Sequence, residues 1–313
     1  MVISNKVRDL IPNSSEGSPY LQKNSMNISD YLDYLKTHKQ SSQKTIDNYS
    51  YYLNRFFNYC DIKSTNDITI DNVNKFKLFL SQIRNNKKEL TKVSTQNYHL
   101  IALRSYLNYL KSKNIISLDS KEVHLNKQLG KEKKILVESD IDKLLEAPLL
   151  TKNPGVIQKR DKAILEILLC SGIKVSELSK LKKTDINFHS NTINIIHQKK
   201  SRSLNLSNQA AFKLKDYLEL RQDYINALFI RHDKAKDKQL SKVSKDNYQL
   251  SPRTIQRIIK KYAKKTNLGD DITPEKLRQA YAQHLKKKGY DEKTIQSMLG
   301  HESIVTTKLY IRQ

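Results

Sequence analysis

Apolar residues recur three and four positions apart through most of the chain, the spacing of helices with one buried face. In "TIDNYSYYLNRFFNYC", Ile46, Tyr49, Leu53, Phe56, Phe57 and Cys60 keep that spacing. "IDNVNKFKLFLSQI" repeats it through Ile70, Val73, Phe76, Leu80 and Ile83, and "STQNYHLIALRSYLNYLKSK" does so after Ser94 as a cap. With an earlier helix capped by Ser29 and carrying Tyr31, Leu32 and Leu35, this predicts a small bundle of helices over residues 26–111. Residues 1–25 are polar, with Pro12, Gly17 and Pro19, and read as a flexible arm. From 112 to 134 the period is lost and lysines accumulate, which predicts a linker.

A second pattern fills residues 135–313. "VESDIDKLLEA" predicts a helix begun by Ser139 or Asp140, and "KRDKAILEILLCSG" an apolar helix closed by Gly172. "TINIIHQ" and "RSLNLS" are β-rich runs around a basic tip and predict a hairpin, with a third strand between Asp185 and His189. The polar stretch from Asp233 to Gln249 predicts a mobile loop. Ser251 with Pro252, and Thr273 with Pro274, each predict a helix start. The expected fold is mainly α with a small β-sheet: a helical domain followed by a mixed α+β domain.

Composition adds a partner. Lys and Arg number 57 against 32 Asp and Glu, a formal charge of +25. AT-rich coding would enrich Lys, Asn, Ile and Tyr, but it does not deplete acids, whose codons also tolerate A and T. Such an excess calls for an anionic partner, most simply a phosphate backbone. Cys60 and Cys170 are far apart in apolar helical patterns and read as free, buried thiols rather than a disulfide or a zinc site. No apolar run is long enough to span a bilayer, and no signal-like segment opens the chain, so a cytoplasmic protein with no membrane partner and no small-molecule substrate is expected.

Four stretches of the second domain carry candidate chemistry: "CSGIKVSELSKLKKTDI", the tip "HQKKSR", "ITPEKLRQAYAQHLKKKGY" and "IQSMLGHESIVTTKLYI". Their order and separation resemble the catalytic domain of the tyrosine recombinases of the Xer and phage-integrase type, with a tyrosine nine residues after the histidine of "LGH". The helical first domain is similar to that family's SAM-like core-binding domain. The resemblance implies a site-specific DNA recombinase that cuts and rejoins DNA through a 3′-phosphotyrosine, with neither metal nor other cofactor. Its partners would be double-stranded DNA and further protomers assembled on it. The long basic linker between two patterns that each bury their own core adds the expectation that the two domains grip opposite faces of one duplex.

By the same resemblance Tyr310 is the nucleophile, although it is one of 17 tyrosines and nothing in composition singles it out. His301 hydrogen-bonds the scissile phosphate, and Arg278 is the second of two phosphate-clamping arginines. Lys199 is the general acid, with Lys200 open as an alternative. Lys174 stands where the family has its first arginine, Glu275 where it has a histidine, and Gln279 where a histidine often follows the second arginine. A lysine offers a point charge in place of a planar fork. One lost donor at such a site costs on the order of 10²–10³ in rate, and Lys174, keeping its charge, is expected at the low end. Glu275 would repel a phosphate, yet it also suits the first turn of a helix begun by Thr273. A weakened or inactive member, acting as a sequence-specific DNA-binding accessory protein, is the alternative function. A helical nucleic-acid-binding protein outside the family is a third, opposed by four ordered matches. The chain ends three residues after Tyr310, where relatives usually continue into a helix that docks on a neighbour, so weak association off DNA is expected.

Overall fold

A computed structural model of the chain describes residues 28–84, 88–127, 136–197, 200–232, 248–269 and 271–312. The chain divides into two compact units, Met1–Glu132 and Lys133–Gln313. The expected arm lies outside the described residues, as do the last part of the expected linker and most of the 233–249 loop.

The first unit is built from α1 (Ile28–Thr37), α2 (Gln43–Cys60), α3 (Ile70–Gln82) and α4 (Val93–Ser112). Their apolar stripes meet in one core whose largest buried side chains are Tyr31, Phe56, Phe57, Phe76 and Tyr106. Ser42 and Thr69 cap α2 and α3 by accepting from the backbone N–H of Thr45 and Asn72. Two expected caps are misplaced. α1 begins at Ile28 and α4 at Val93, so Ser29 and Ser94 lie inside first turns. The expected linker is also misread in its first half. Ile115, Leu118 and Val123 pack on this core, Val123 completely buried. Asn126 pins the segment to α4 through Asn97 and Gln96. The segment is irregular, so its apolar residues bury one at a time and leave no period.

The second unit begins with α5 (Glu138–Glu146), α6 (Gly155–Ser171) and the single turn α7 (Val175–Leu178). Ser139 and Asp140 fall in the first turn of α5, behind Val137. A three-stranded antiparallel sheet follows, β1 (Ile186–Asn187), β2 (Thr192–His197) and β3 (Lys200–Asn205), in that order. In its longest pairing Ile193 faces Leu204 and Ile195 faces Arg202. Then come α8 (Asn208–Glu219), α9 (Pro252–Lys265), α10 (Pro274–Lys287), α11 (Glu292–Leu299) and α12 (Ile304–Ile311). Ser251 and Thr273 cap α9 and α10, each with proline in the first turn.

The main core of this unit gathers around α6, where Ala163, Ile164, Leu165, Ile167 and Leu168 are buried. A separate, smaller cluster of Ala282, Leu285, Ile295 and Leu299 holds α12 against α10 and α11. Cys60 and Cys170 are free and half-buried, and burial pushes both thiols up to about 11. No helix among the described residues is long and apolar enough to cross a membrane.

Candidate active site

Two chain turns and a helix come together beside one cavity in the second unit. α6 stops at Gly172, whose left-handed backbone (φ 59°) reverses the chain. A Cβ there would fall 2.5 Å from the Tyr281 ring, so both conformation and space demand glycine. Two residues on, Lys174 precedes α7 with its side chain exposed, and its backbone N–H donates to the buried carboxylate of Glu177 at 3.0 Å.

Arg278 comes from α10 and is only 2 % exposed. Its Nη1 donates to the carbonyl of Gly172, and its Nη2 to that of Leu299 at 2.6 Å. One guanidinium thus satisfies the last carbonyls of two helices, α6 and α11, and fixes their ends together. Burial lowers its pKa, opposed by the carboxylates of Glu275 and Glu177, and Arg202 lowers it a little further. Glu275 itself is exposed in the first turn of α10, where a negative charge complements the helix N-terminus.

The second turn is at Gly300, which ends α11 with φ 65° and precedes His301. His301 Nδ1 lies 2.9 Å from the hydroxyl of Thr307, a residue with no exposed surface. Its Nε2 is closed off and has no protein partner. Burial, followed by Arg278, Lys174 and Arg202, pushes the ring's pKa down to about 4, so at neutral pH it carries a single proton. Ser303 then caps α12, which brings Tyr310 back beside the histidine, ring centroids 4.8 Å apart and edge to face.

The cavity, ≈ 460 Å³, is lined in part by Lys174, Glu177, Ser201, Arg202, Gly300 and His301. Of the residues expected from the sequence, Lys174 and His301 therefore share one wall, and Tyr310 packs on His301. Arg278 sits behind them, while Glu275 does not line the cavity. Lys199 lies outside the described residues, and Lys200 is placed only through its backbone pairing with His197.

Sequence reading gave no role to Glu177, Arg202 or Thr307. Glu177 and Arg202 stood inside quoted motifs, and Arg202 pairs with Glu177 through both terminal nitrogens at 2.9 and 2.8 Å. Their partnership spans 25 positions and no local spacing announces it. Among the described residues no group of three or more His, Cys, Asp or Glu could hold a metal ion.

Comparison with known proteins places both units. Residues 134–313 match the model described as the phage integrase family, and residues 28–114 that of the phage integrase N-terminal SAM-like domain. Tyrosine recombinase XerC of Thermodesulfovibrio yellowstonii is 32% identical over 285 residues, covering 90% of each chain. Tyrosine recombinase XerA of Pyrococcus horikoshii is 30% identical over 294 residues, 92% of this chain and 90% of that one. Among solved structures, the XerH site-specific recombinase bound to difH substrate superposes with a TM-score of 0.63 at 19% identity, over 90% of this chain and 80% of that one. The Tn1549 transposon integrase with circular intermediate DNA does so at 0.67 and 17%, over 90% and 94%. These two similarities concern the fold.

Proposed function

Because the chain belongs to the phage integrase family of tyrosine recombinases, we propose that Tyr310 is its DNA-cutting nucleophile, that His301 and Lys174 hold the scissile phosphate, and that Arg278 adds positive charge behind them. The protein is a site-specific DNA recombinase, and it works on double-stranded DNA together with other protomers. We place that work in the cytoplasm, where the DNA is.

The Tyr310 oxygen bonds to phosphorus as the bond to the 5′ oxygen breaks. The phenol gives up its proton and the 5′ oxygen takes one up, leaving a 3′-phosphotyrosine and a free 5′-hydroxyl. Attack by a 5′-hydroxyl reverses the step and rejoins a strand. Charge builds on the non-bridging oxygens at the transition state, and side chains must meet it. Lys174 brings a charge to the cavity wall. Arg278, held by two carbonyls, supplies a fixed positive field from behind. In the tautomer where the Thr307 hydroxyl donates to Nδ1, the one ring proton of His301 is on Nε2, where it can hydrogen-bond a phosphate oxygen. Lys199 is assigned the protonation of the leaving oxygen by motif alone.

The observation that carries this reading is the edge-to-face contact of His301 with Tyr310, beside a closed-off Nε2 that lacks a partner. The exposed position of Glu275 in the first turn of α10 supports a helix-starting role for it. Integration of an element and resolution of joined replicons use the same chemistry and differ only in DNA context.

The test is a suicide duplex whose nick traps the covalent complex. Wild type should form an adduct mapping to Tyr310, and Tyr310→Phe should bind the duplex equally well and form none. An adduct that survives in the variant on another tyrosine would reject the assignment. Binding should weaken steeply with salt, by a log–log slope of about −0.9 for each phosphate contacted.

A further inference from the structure

The geometry points to Arg202 as a positioning residue for strand cleavage, bracing Lys174 and His301 into one frame through Glu177 and Gly300. The argument rests on the assignment of those two residues to the phosphate. One carboxylate, Glu177, accepts from the backbone N–H of Lys174 at 3.0 Å and from both terminal nitrogens of Arg202. It therefore ties the first turn of α7 to strand β3. Arg202 in turn lies flat on the Gly300 turn. A Cβ at Gly300 would fall 2.8 Å from its Nη1 and 2.9 Å from its Cζ, so a side chain there would push the guanidinium aside, and the positive φ of 65° favours glycine as well. The brace runs without a break from Lys174 through Glu177 and Arg202 to Gly300, next to His301.

The chemistry of the pair says why an arginine stands there. The carboxylate is buried, and the guanidinium side chain is only 21% exposed. Two parallel N–H donors fix both the distance and the plane of the fork, which an ammonium cannot do. Although the side chain lines the cavity, both terminal nitrogens are engaged by Glu177, and Nε is shut from solvent without a partner. These features describe a residue that aligns others. Its charge also lets three cations, Lys174, Arg202 and Arg278, gather beside His301 with Glu177 as the buried counterion. Without Arg202, Glu177 would face the incoming phosphate unpaired. A supporting shell of this kind decides whether groups that touch substrate are held closely enough to act.

The experiment measures single-turnover cleavage of a nicked suicide duplex carrying the site that wild-type protein selects from a random-sequence pool. Arg202→Met should cleave ~100-fold more slowly and Arg202→Lys ~10-fold more slowly, both binding the duplex within ~3-fold of wild type. Adding Glu177→Gln to Arg202→Met should recover part of the rate, because it removes the stranded charge. The His301 ring, followed by NMR in histidine-labelled protein, should titrate at higher pH in Arg202→Met. Its other facing groups, Lys174 ahead of α7, Arg278 on α10, Gln296 on α11, and Thr307 and Tyr310 on α12, are unchanged.

Arg202→Lys cleaving at the wild-type rate would overturn the proposal. So would a loss confined to affinity, which would put Arg202 on the DNA itself. If Arg202→Met does not fold, Arg202→Lys decides alone, its melting temperature being checked beside its rate. Tyr310→Phe and His301→Ala run as controls. If both cleave normally, the site assignment fails. If both are dead while the Arg202 variants are normal, only the brace fails.

Discussion

The two units stabilise themselves with different materials. In the first, the buried polar side chains are Gln96, His99 and Ser120, and aromatic rings fill the middle. Tyr31, Tyr106, Phe57, Phe56 and Phe76 form a chain of edge and tilted contacts with centroids 5.1 to 5.7 Å apart. In the second, the core is mostly aliphatic, and every buried Lys, Arg, Asp or Glu among the described residues belongs to it. Arg160 pairs with Asp161, Lys162 with Glu166, and Arg221 with Asp223. Rings fill space without specifying one alignment strongly. Buried ions tolerate few alignments, because each displaced donor leaves a charge unsolvated. The unit that holds the candidate site carries the ions.

The sharpest way to break this contrast is to remove one member from each side. Asp161→Ala strands Arg160 and the Tyr262 hydroxyl, and should cost about 3–5 kcal/mol of second-unit stability in urea unfolding. Phe57→Ala should cost about as much in the first unit, by cavity formation. The difference lies in the cure. Adding Arg160→Met to Asp161→Leu should recover most of the loss, as apolar replacement of a buried pair usually does. If the double variant is no more stable than Asp161→Ala, the buried ions stabilise on their own account and the contrast falls.

The two depressed histidines sharpen it next. Burial pushes the pKa values of His99, 3 % exposed against Tyr52, and of His301 down to about 4. A histidine depressed in the fold is protonated more readily when unfolded. Its stability contribution is therefore full above the ordinary value of about 6.5 and is lost as pH falls towards 4. For His99 the loss approaches ~3 kcal/mol at one pKa unit per 1.36 kcal/mol. His99→Phe should flatten the acid side of the first unit's stability profile. His301→Gln should slow cleavage with little change in that profile. An acid profile unaltered by His99→Phe would locate acid sensitivity elsewhere.

Lys174→Arg comes third. It should raise single-turnover cleavage by ~10-fold, the low end of what one aligned donor contributes. A gain under twofold would mean that the brace, and not the residue type at 174, limits the reaction. The smallest effect is expected at Glu146, an outer partner of Lys162 that is 59% exposed. Glu146→Gln should cost under ~1 kcal/mol, as surface pairs do. A larger loss would show that the inner partner Glu166 does not suffice.

Local signals made most of the fold legible. Tyr31 and Leu35, and then Ile46 through Phe57, fall on buried faces as their spacing required, and Gly172, Ser251 and Thr273 mark helix ends where expected. What misled was polarity near helix starts, where Ser29 and Ser94 imitate caps from inside the first turn. Val123 was invisible because an irregular segment has no period. In the site, Lys174, Arg278, His301 and Tyr310, which lie near one another in the structure, were readable through their resemblance to a family pattern. The Arg202–Glu177 pair was not, because its necessity comes from the distance between two turns.

The helix that carries Tyr310 rests on a hydrophobic island of its own. Ala282, Leu285, Ile295 and Leu299 bury one side of α12, apart from the larger core around α6. Eight residues held by so little apolar surface can lift away without opening that core. Backbone amides of 304–311 should then lose deuterium protection well before those of 163–168, which open only with the whole unit. Local opening of α12 would then free the Tyr310 side chain while the core around α6 stays closed.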